Sequence, residues 1–201
     1  MPSFACNLLP AALVKFRQEY PKINITVHDV INEEVTEMVR SRQVEMGIAF
    51  SPEGTGSLMF TPLFEDHFVA VAPPTSTLLQ ASQLPWAALL KHDFITLQRP
   101  SMVRRLLEQE LRKQNMELPV AFESHQLSTV GRMVADGLGV SAVPSMCIRQ
   151  MQELGARCIP LTTPSISCRV GILTHQELSV AAHALRTVLL DTVQAPSLPL
   201  R

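Results

Sequence analysis

Gly137-Leu138-Gly139-Val140-Ser141-Ala142 matches the G-x-G-x-x-A form of a dinucleotide fingerprint. That motif holds a pyrophosphate only when a strand runs into it and a helix runs out of it, so that the first helical amides face the phosphates. Here the order is reversed: a helical pattern ends at Gly137, and Pro144 stops a helix from starting directly afterwards. Gly137 therefore reads as a helix terminator in the left-handed conformation. Glu65-Asp66-His67 and Glu123-Ser124-His125 place carboxylates beside imidazoles, the residue types of acid–base catalysis. Each falls at a strand edge, where polar residues are common, and the chain has neither a G-x-S-x-G elbow nor a P-loop. The six histidines form no H-E-x-x-H and no close pair on one helix face, so no metal site is expected. Cys6, Cys147, Cys158 and Cys168 show no C-x-x-C spacing, and the last three lie among apolar neighbours; buried, reduced thiols in a cytosolic protein are expected. Nothing positive points to an enzyme, and no cofactor is expected.

The elements that must carry these residues follow from periodicity. Leu9, Leu13, Phe16 and Tyr20 recur at steps of four, three and four, which predicts a helix ending at Tyr20-Pro21. Ile23, Ile25 and Val27 alternate with Asn24 and Thr26 and predict a half-buried strand. Asn32 then offers a side-chain oxygen to the first amides of a helix whose buried stripe is Val35, Met38 and Val39, followed by a strand over 46–50. Strand, helix and strand in this order predict parallel pairing through a right-handed crossover. Two short strands are expected at 58–64 and 68–72, the second stopped by Pro73-Pro74. The pattern then restarts with a strand at 94–97 and a helix capped by Ser101 that buries Val103, Leu106, Leu107 and Leu111. A strand at 120–123, a helix carrying Leu127, Val130, Met133 and Val134, and a strand at 140–143 follow. A short helix at 145–154, strands at 157–161 and 169–174, and a final helix capped by Ser179 complete two consecutive α/β halves.

The 201 residues, 46% apolar, are enough for one large domain or two small ones with a core of their own. Seventeen Lys and Arg against 18 Asp and Glu give a net charge of −1, which argues against a chain that coats nucleic acid or a membrane surface. The densest basic stretch, Arg104-Arg105 with Arg112-Lys113, is interrupted by Glu108 and Glu110 and reads as a solvated helix face. No run approaches the ~18 apolar residues of a membrane span. The opening MPSFACNLLPAALVKF lacks a basic leader and carries Pro10, so it reads as part of the fold.

Taken in order, these residues resemble the effector-binding domain of a LysR-type transcriptional regulator. The likeness rests on Leu8-Leu9-Pro10 with Phe16 and Tyr20-Pro21, on Val44-Glu45-Met46-Gly47-Ile48-Ala49, on Phe68-Val69-Ala70-Val71-Ala72-Pro73, and on Val134-Ala135-Asp136-Gly137-Leu138-Gly139-Val140 with Val143-Pro144. The resemblance implies two Rossmann-like subdomains joined by two crossover strands, the periplasmic-binding-protein type II-like fold. Subdomain I would be residues 1–72 plus 172–201 and subdomain II residues 73–171, with a small effector, carrying a carboxylate, bound in the cleft between them. Ligands settle outside the carboxyl ends of parallel strands, where helix N-termini aim unpaired amides. By resemblance the effector contacts are Ser3, Asn32 and Ser101 at three helix starts; Phe50, where the family is often polar or basic, which suggests an effector with an apolar part; Gln98 and Arg99, the latter a carboxylate clamp; and His125 and Gln126 on the other wall.

The same resemblance implies a homodimer or homotetramer in which the helix at 8–19 and the strand at 23–30 of one subunit meet the helix near 127–136 of another. The family's winged helix-turn-helix would lie before residue 1, so this chain is not expected to bind DNA by itself, and a membrane partner is not expected. A further strand should precede Ser3 and lie between those at 23–27 and 46–50, and Met1-Pro2 are too few to supply it. Two other readings stay open at this point: a transport-type solute-binding protein of the same fold, and a small two-domain α/β enzyme.

Overall fold

A computed structural model describes residues 1–194 apart from 52, 53 and 55. In chain order its helices are α1 (Pro2–Asn7), α2 (Leu9–Glu19), α3 (Asn32–Arg40), the single turn α4 (Trp86–Leu89), α5 (Met102–Arg112), α6 (Leu127–Ala135), α7 (Ile148–Glu153) and α8 (Val180–Gln194). The strands are β1 (Met46–Phe50), β2 (Met59–Ala72), β3 (Phe94–Leu97), β4 (Val120–Ser124), β5 (Ser141–Pro144), β6 (Arg157–Pro160) and β7 (Ser167–Thr174). Two compact units divide them, Met1–Asp66 together with the residues from Cys168 onward, and His67–Ser167. The chain passes between units inside β2 and near the start of β7.

In the first unit β7 lies between β1 and β2, and β1 runs antiparallel to β7 from Met46↔Thr174 to Phe50↔Val170. Val35 and Val39 of α3 close over Ala49 and Leu173, with Leu58 completing the cluster. Helix α8 packs on α2. Its start is fixed by Ser179, whose Oγ accepts from Ala182 N at 3.2 Å, while Glu45 accepts from the Ser179 amide at 2.9 Å and from its hydroxyl at 3.1 Å.

Three expectations change here. The strand expected at 23–27 does not form, nor does its parallel pairing with 46–50: residues 22–31 carry neither helix nor strand, and β1 finds its partner in β7 instead. Alternation makes a segment able to pair, but a ladder needs a neighbour within about 4.8 Å. The helix at 9–20 is preceded by a separate α1 that starts at Pro2, so Ser3 does not cap it; Ser3 lies one residue inside and is buried. Asn32 likewise is the first helical residue after Ile31, with no side-chain bond to its own helix.

The second unit has its own core around Trp86, Phe94, Ile95, Leu107, Leu111 and Val134. The later half of β2 runs antiparallel to β5 and β6, and β3 runs parallel to β4, ending at Leu97↔Ser124. The two short strands expected at 58–64 and 68–72 are one continuous strand, because Glu65-Asp66-His67 does not interrupt it; Asp66 is buried within the strand rather than placed at its edge. The G-x-G stretch has a purely structural explanation. Gly137, at φ +88°, closes α6, with the Leu138 amide donating to Met133 O at 3.1 Å. A side chain at Gly139 would run into the backbone carbonyl of Asp93, and the next amide, Val140 N, donates to that carbonyl at 2.9 Å.

Candidate functional site

The parallel pair β3 and β4 delivers the predicted residues of the second unit to one edge. Gln98 follows β3, His125 and Gln126 follow β4, and the Gln98 amide donates to Ser124 O at 2.9 Å, which fastens the two strand ends together. Ser101 sits three residues further, with its Oγ accepting from Arg104 N at 3.4 Å, and so caps α5 as its sequence position predicts. His125 and Gln126 are exposed, and Gln126 occupies the N-cap position of α6 without a side-chain cap bond. This edge therefore combines two helix starts, α5 and α6, with a hydroxyl, an imidazole and two side-chain amides. Such a set can donate several hydrogen bonds to an anionic or hydroxylated small molecule.

Arg99 is exposed, but its Nη2 donates to both carboxylate oxygens of Glu108, at 2.9 and 2.7 Å. A ligand carboxylate would have to compete with Glu108 for it. The same Glu108 accepts from Arg104 Nε at 2.8 Å, and Arg104 Nη1 donates to Glu123 at 2.7 Å and to Leu97 O at 3.2 Å. Arg104 is only 8% exposed, which corrects the expectation that Arg104-Arg105 belongs to a solvated face: Arg105 points to water and Arg104 does not. Burial opposes the Arg104 charge, but hydrogen bonds to Glu108 and Glu123 outweigh it and hold the guanidinium above its ordinary pKa. Burial also works against ionised Glu108, and the bonds from Arg104 and Arg99 more than offset this, so its carboxyl lies below the ordinary carboxylate range. Arg99–Glu108–Arg104–Glu123 is thus an alternating-charge chain that ties the start of α5 to the ends of both strands. The one sequence signal for it was the i, i+4 spacing of Arg104 and Glu108, three residues after the cap.

Of the predicted residues of the first unit, Asn32 and Phe50 are brought together and Ser3 is not seen to join them. Asn32 Oδ1 accepts from the amide of Phe50 at 2.7 Å, joining the start of α3 to the last residue of β1. Phe50 itself is buried, at 4% exposure, and Ser3 lies in α1 with its carbonyl accepting from Asn7 Nδ2 at 2.8 Å. Among the described residues there is no group of three or more His, Cys, Asp or Glu side chains that could hold a metal ion. The thiols form no disulfide, and Cys147 and Cys168 are buried while Cys6 is exposed. Burial pushes the Cys158 thiol up to about 11 and Cys168 higher still.

Residues 1–194 match the family described as the LysR substrate binding domain. The chain belongs to this family. The HTH-type transcriptional regulator YbhD of Escherichia coli is 28% identical over 193 residues, which cover 95% of this chain and 61% of that protein. The chain thus spans about three fifths of the length of such curated relatives. Among solved structures, the regulatory domain of Synechocystis CcmR in complex with 2-PG superposes with a TM-score of 0.86 at 18% identity, covering 97% of this chain and 95% of that one. The effector-binding domain of QuiR in complex with shikimate superposes with a TM-score of 0.84 at 13% identity, covering 94% and 91%. At those identities the likeness establishes the fold, the α/β periplasmic-binding-protein type II-like fold of LysR effector-binding domains. The relatives are named as transcriptional regulators. No described helix is long and apolar enough to cross a membrane.

Proposed function

We propose that this LysR substrate-binding domain is the sensing part of a cytoplasmic DNA-binding regulator and takes a small effector with a carboxylate or other anionic group. The observation that supports this best is the edge formed by the carboxyl ends of β3 and β4, where Gln98, Ser101, His125 and Gln126 meet two helix starts. The first unit would supply the other wall of an inter-subdomain cleft through Ser3, Asn32 and Phe50, with Phe50 meeting an apolar part of the effector. In this reading the subdomains are residues 1–72 with 172–201 and residues 73–171, and the effector is bound and released, not transformed. Arg99 would serve as a carboxylate clamp by exchanging Glu108 for the ligand. Recognition of DNA would fall to a winged helix-turn-helix outside these residues. Pairing into dimers or tetramers would use residues 8–19 and 23–30 against the helix near 127–136; the exposed apolar side chains Val14, Ile25 and Val27 support that surface.

The test is thermal unfolding in the presence of an acid panel that includes shikimate and 2-PG. A ligand at about 100 times its Kd stabilises by ~2.7 kcal/mol, which in a protein of this size raises Tm by roughly 5–10 °C. Ser101→Ala and Gln126→Ala should each weaken that response while leaving the ligand-free Tm within a few degrees. Product formation from any stabilising compound, or undiminished affinity in both variants, would overturn the assignment.

A further inference from the structure

The basic residues on and just before α5 border a cavity of about 370 Å³ that the effector reading does not use. Arg99, Arg104 and Arg112 line it together with two carboxylates, Glu108 and Glu117. All of its lining belongs to the second unit. The cavity arises from the way α5 ends: Asn115, at φ +55°, reverses the chain, and the Met116 amide donates to Leu111 O at 3.0 Å. That reversal returns Met116, Leu118 and Val120 to the cavity as the apolar part of its lining.

One guanidinium in this cavity lacks an acid. Glu108 is saturated: its Oε1 accepts from Arg104 Nε at 2.8 Å and from Arg99 Nη2 at 2.9 Å, and its Oε2 accepts from Arg99 Nη2 at 2.7 Å. Arg112 follows Glu108 by four residues, the spacing at which a helix pairs opposite charges, yet its side chain takes part in no ion pair among the described residues. The next acid along the helix, Glu110, is taken by Lys113 at 2.6 Å. Glu117 is exposed and does not pair with Arg112. Arg99 gives only Nη2 to Glu108, and no described bond engages its Nε or Nη1. The cavity therefore offers one whole guanidinium fork and part of another beside an apolar wall. Planar forks of this kind match the paired oxygens of carboxylates and phosphates.

We propose that this cavity is a second anion site, which takes a small organic dianion, a phosphate monoester or a dicarboxylate, with its charged oxygens on the Arg112 and Arg99 forks and its apolar body against Met116, Leu118 and Val120. Arg104, buried and bonded to Glu108 and Glu123, positions Arg99 through Glu108 and does not itself hold the ligand. The site goes beyond the effector reading, because Gln98, Ser101, His125 and Gln126 are not among its lining. Arg99 is common to both readings, so Arg112 carries the test.

Arginine side-chain Nε resonances of the nitrogen-15-labelled 201-residue chain test this, with phenyl phosphate, phthalate and inorganic phosphate as probes and ionic strength held constant with chloride. Phenyl phosphate or phthalate should shift the Arg112 and Arg99 signals saturably, and whichever binds more tightly names the class; inorganic phosphate, which has no apolar body, should bind more weakly than phenyl phosphate. Arg112→Ala should weaken binding roughly tenfold or more, the loss of one charge-assisted contact, and Arg112→Lys, which keeps the charge without the fork, should fall between it and the parent. Gln126→Ala should leave this binding unchanged. The proposal is overturned if neither organic anion saturates those signals, if Arg112→Ala binds as tightly as the parent, or if inorganic phosphate binds as tightly as phenyl phosphate. Weaker binding in Gln126→Ala but not in Arg112→Ala would place the anion at the edge of β3 and β4, overturning this site and leaving the effector reading intact.

Discussion

Arg104→Ala offers the sharpest test of how the candidate site is held together. The side chain makes charge-assisted bonds to Glu108 and Glu123 and a third bond to the Leu97 carbonyl. Removing one partner of a fully buried pair costs ~3–5 kcal/mol, because the other charge is stranded. Here the stranded side chains keep access to water, 21% for Glu108 and 41% for Glu123, so both re-solvate in part. We therefore expect a loss of ~2–3 kcal/mol, between that limit and the ~1.5–3 kcal/mol of a single charged hydrogen bond. Trp86, the one tryptophan of the chain, is fully buried in the second unit and reports its unfolding by fluorescence. With a urea dependence of ~2 kcal/mol per molar, the midpoint should fall by roughly 1–1.5 M. Arg105→Ala, one residue away and exposed, should stay within ~0.5 kcal/mol of the parent. The pH dependence has a definite sign. Glu108 titrates lower folded than unfolded, so its contribution is complete above the unfolded carboxylate value and is lost as pH falls through the folded one. The gap between Arg104→Ala and the parent should therefore narrow below about pH 4.5. An Arg104→Ala midpoint within about 0.3 M of the parent, or equal damage from Arg105→Ala, would refute the tethering role.

Gly139→Ala should destabilise by ~2 kcal/mol or more, since the new methyl meets the Asp93 carbonyl, whereas Gly137→Ala should cost ~1 kcal/mol for its positive φ; both are read by urea unfolding, and a dinucleotide should stabilise neither the parent nor the variants. Ser179→Ala removes the cap of α8 and its bond to Glu45 and should lower stability by ~0.5–2 kcal/mol in the same assay; an unchanged midpoint would show that the cap contributes nothing. Iodoacetamide at pH 8 should modify Cys6 first by mass spectrometry of the folded protein, because Cys158, with a pKa of about 11, holds only about one thiolate in a thousand there.

What the residues determined on their own is whatever depends on near neighbours. The caps at Ser101 and Ser179, the left-handed stop at Gly137, and the strands at 94–97 and 120–123 were all legible, because a helix closes its hydrogen bonds four residues back and its ends are set by the next few side chains. So was the family, carried by four short stretches in order rather than by any one of them. Tertiary structure decided the rest. Residues 23–27 have the alternation of a strand but no ladder, since a partner must come from elsewhere in the chain. Asn32 was expected to bond its own helix and instead accepts from Phe50, 18 residues on. Glu65-Asp66-His67 looked like a break between two short strands and lies inside one long one, where partners supplied by the surrounding fold allow Asp66 to be buried. Arg104 and Arg105 are identical and adjacent, and only the positions of Leu97, Glu108 and Glu123 distinguish the buried tether from its solvated neighbour. Local hydrogen bonding and chain stiffness are written in the sequence at short range; pairing and burial are properties of what the folded chain brings beside each residue.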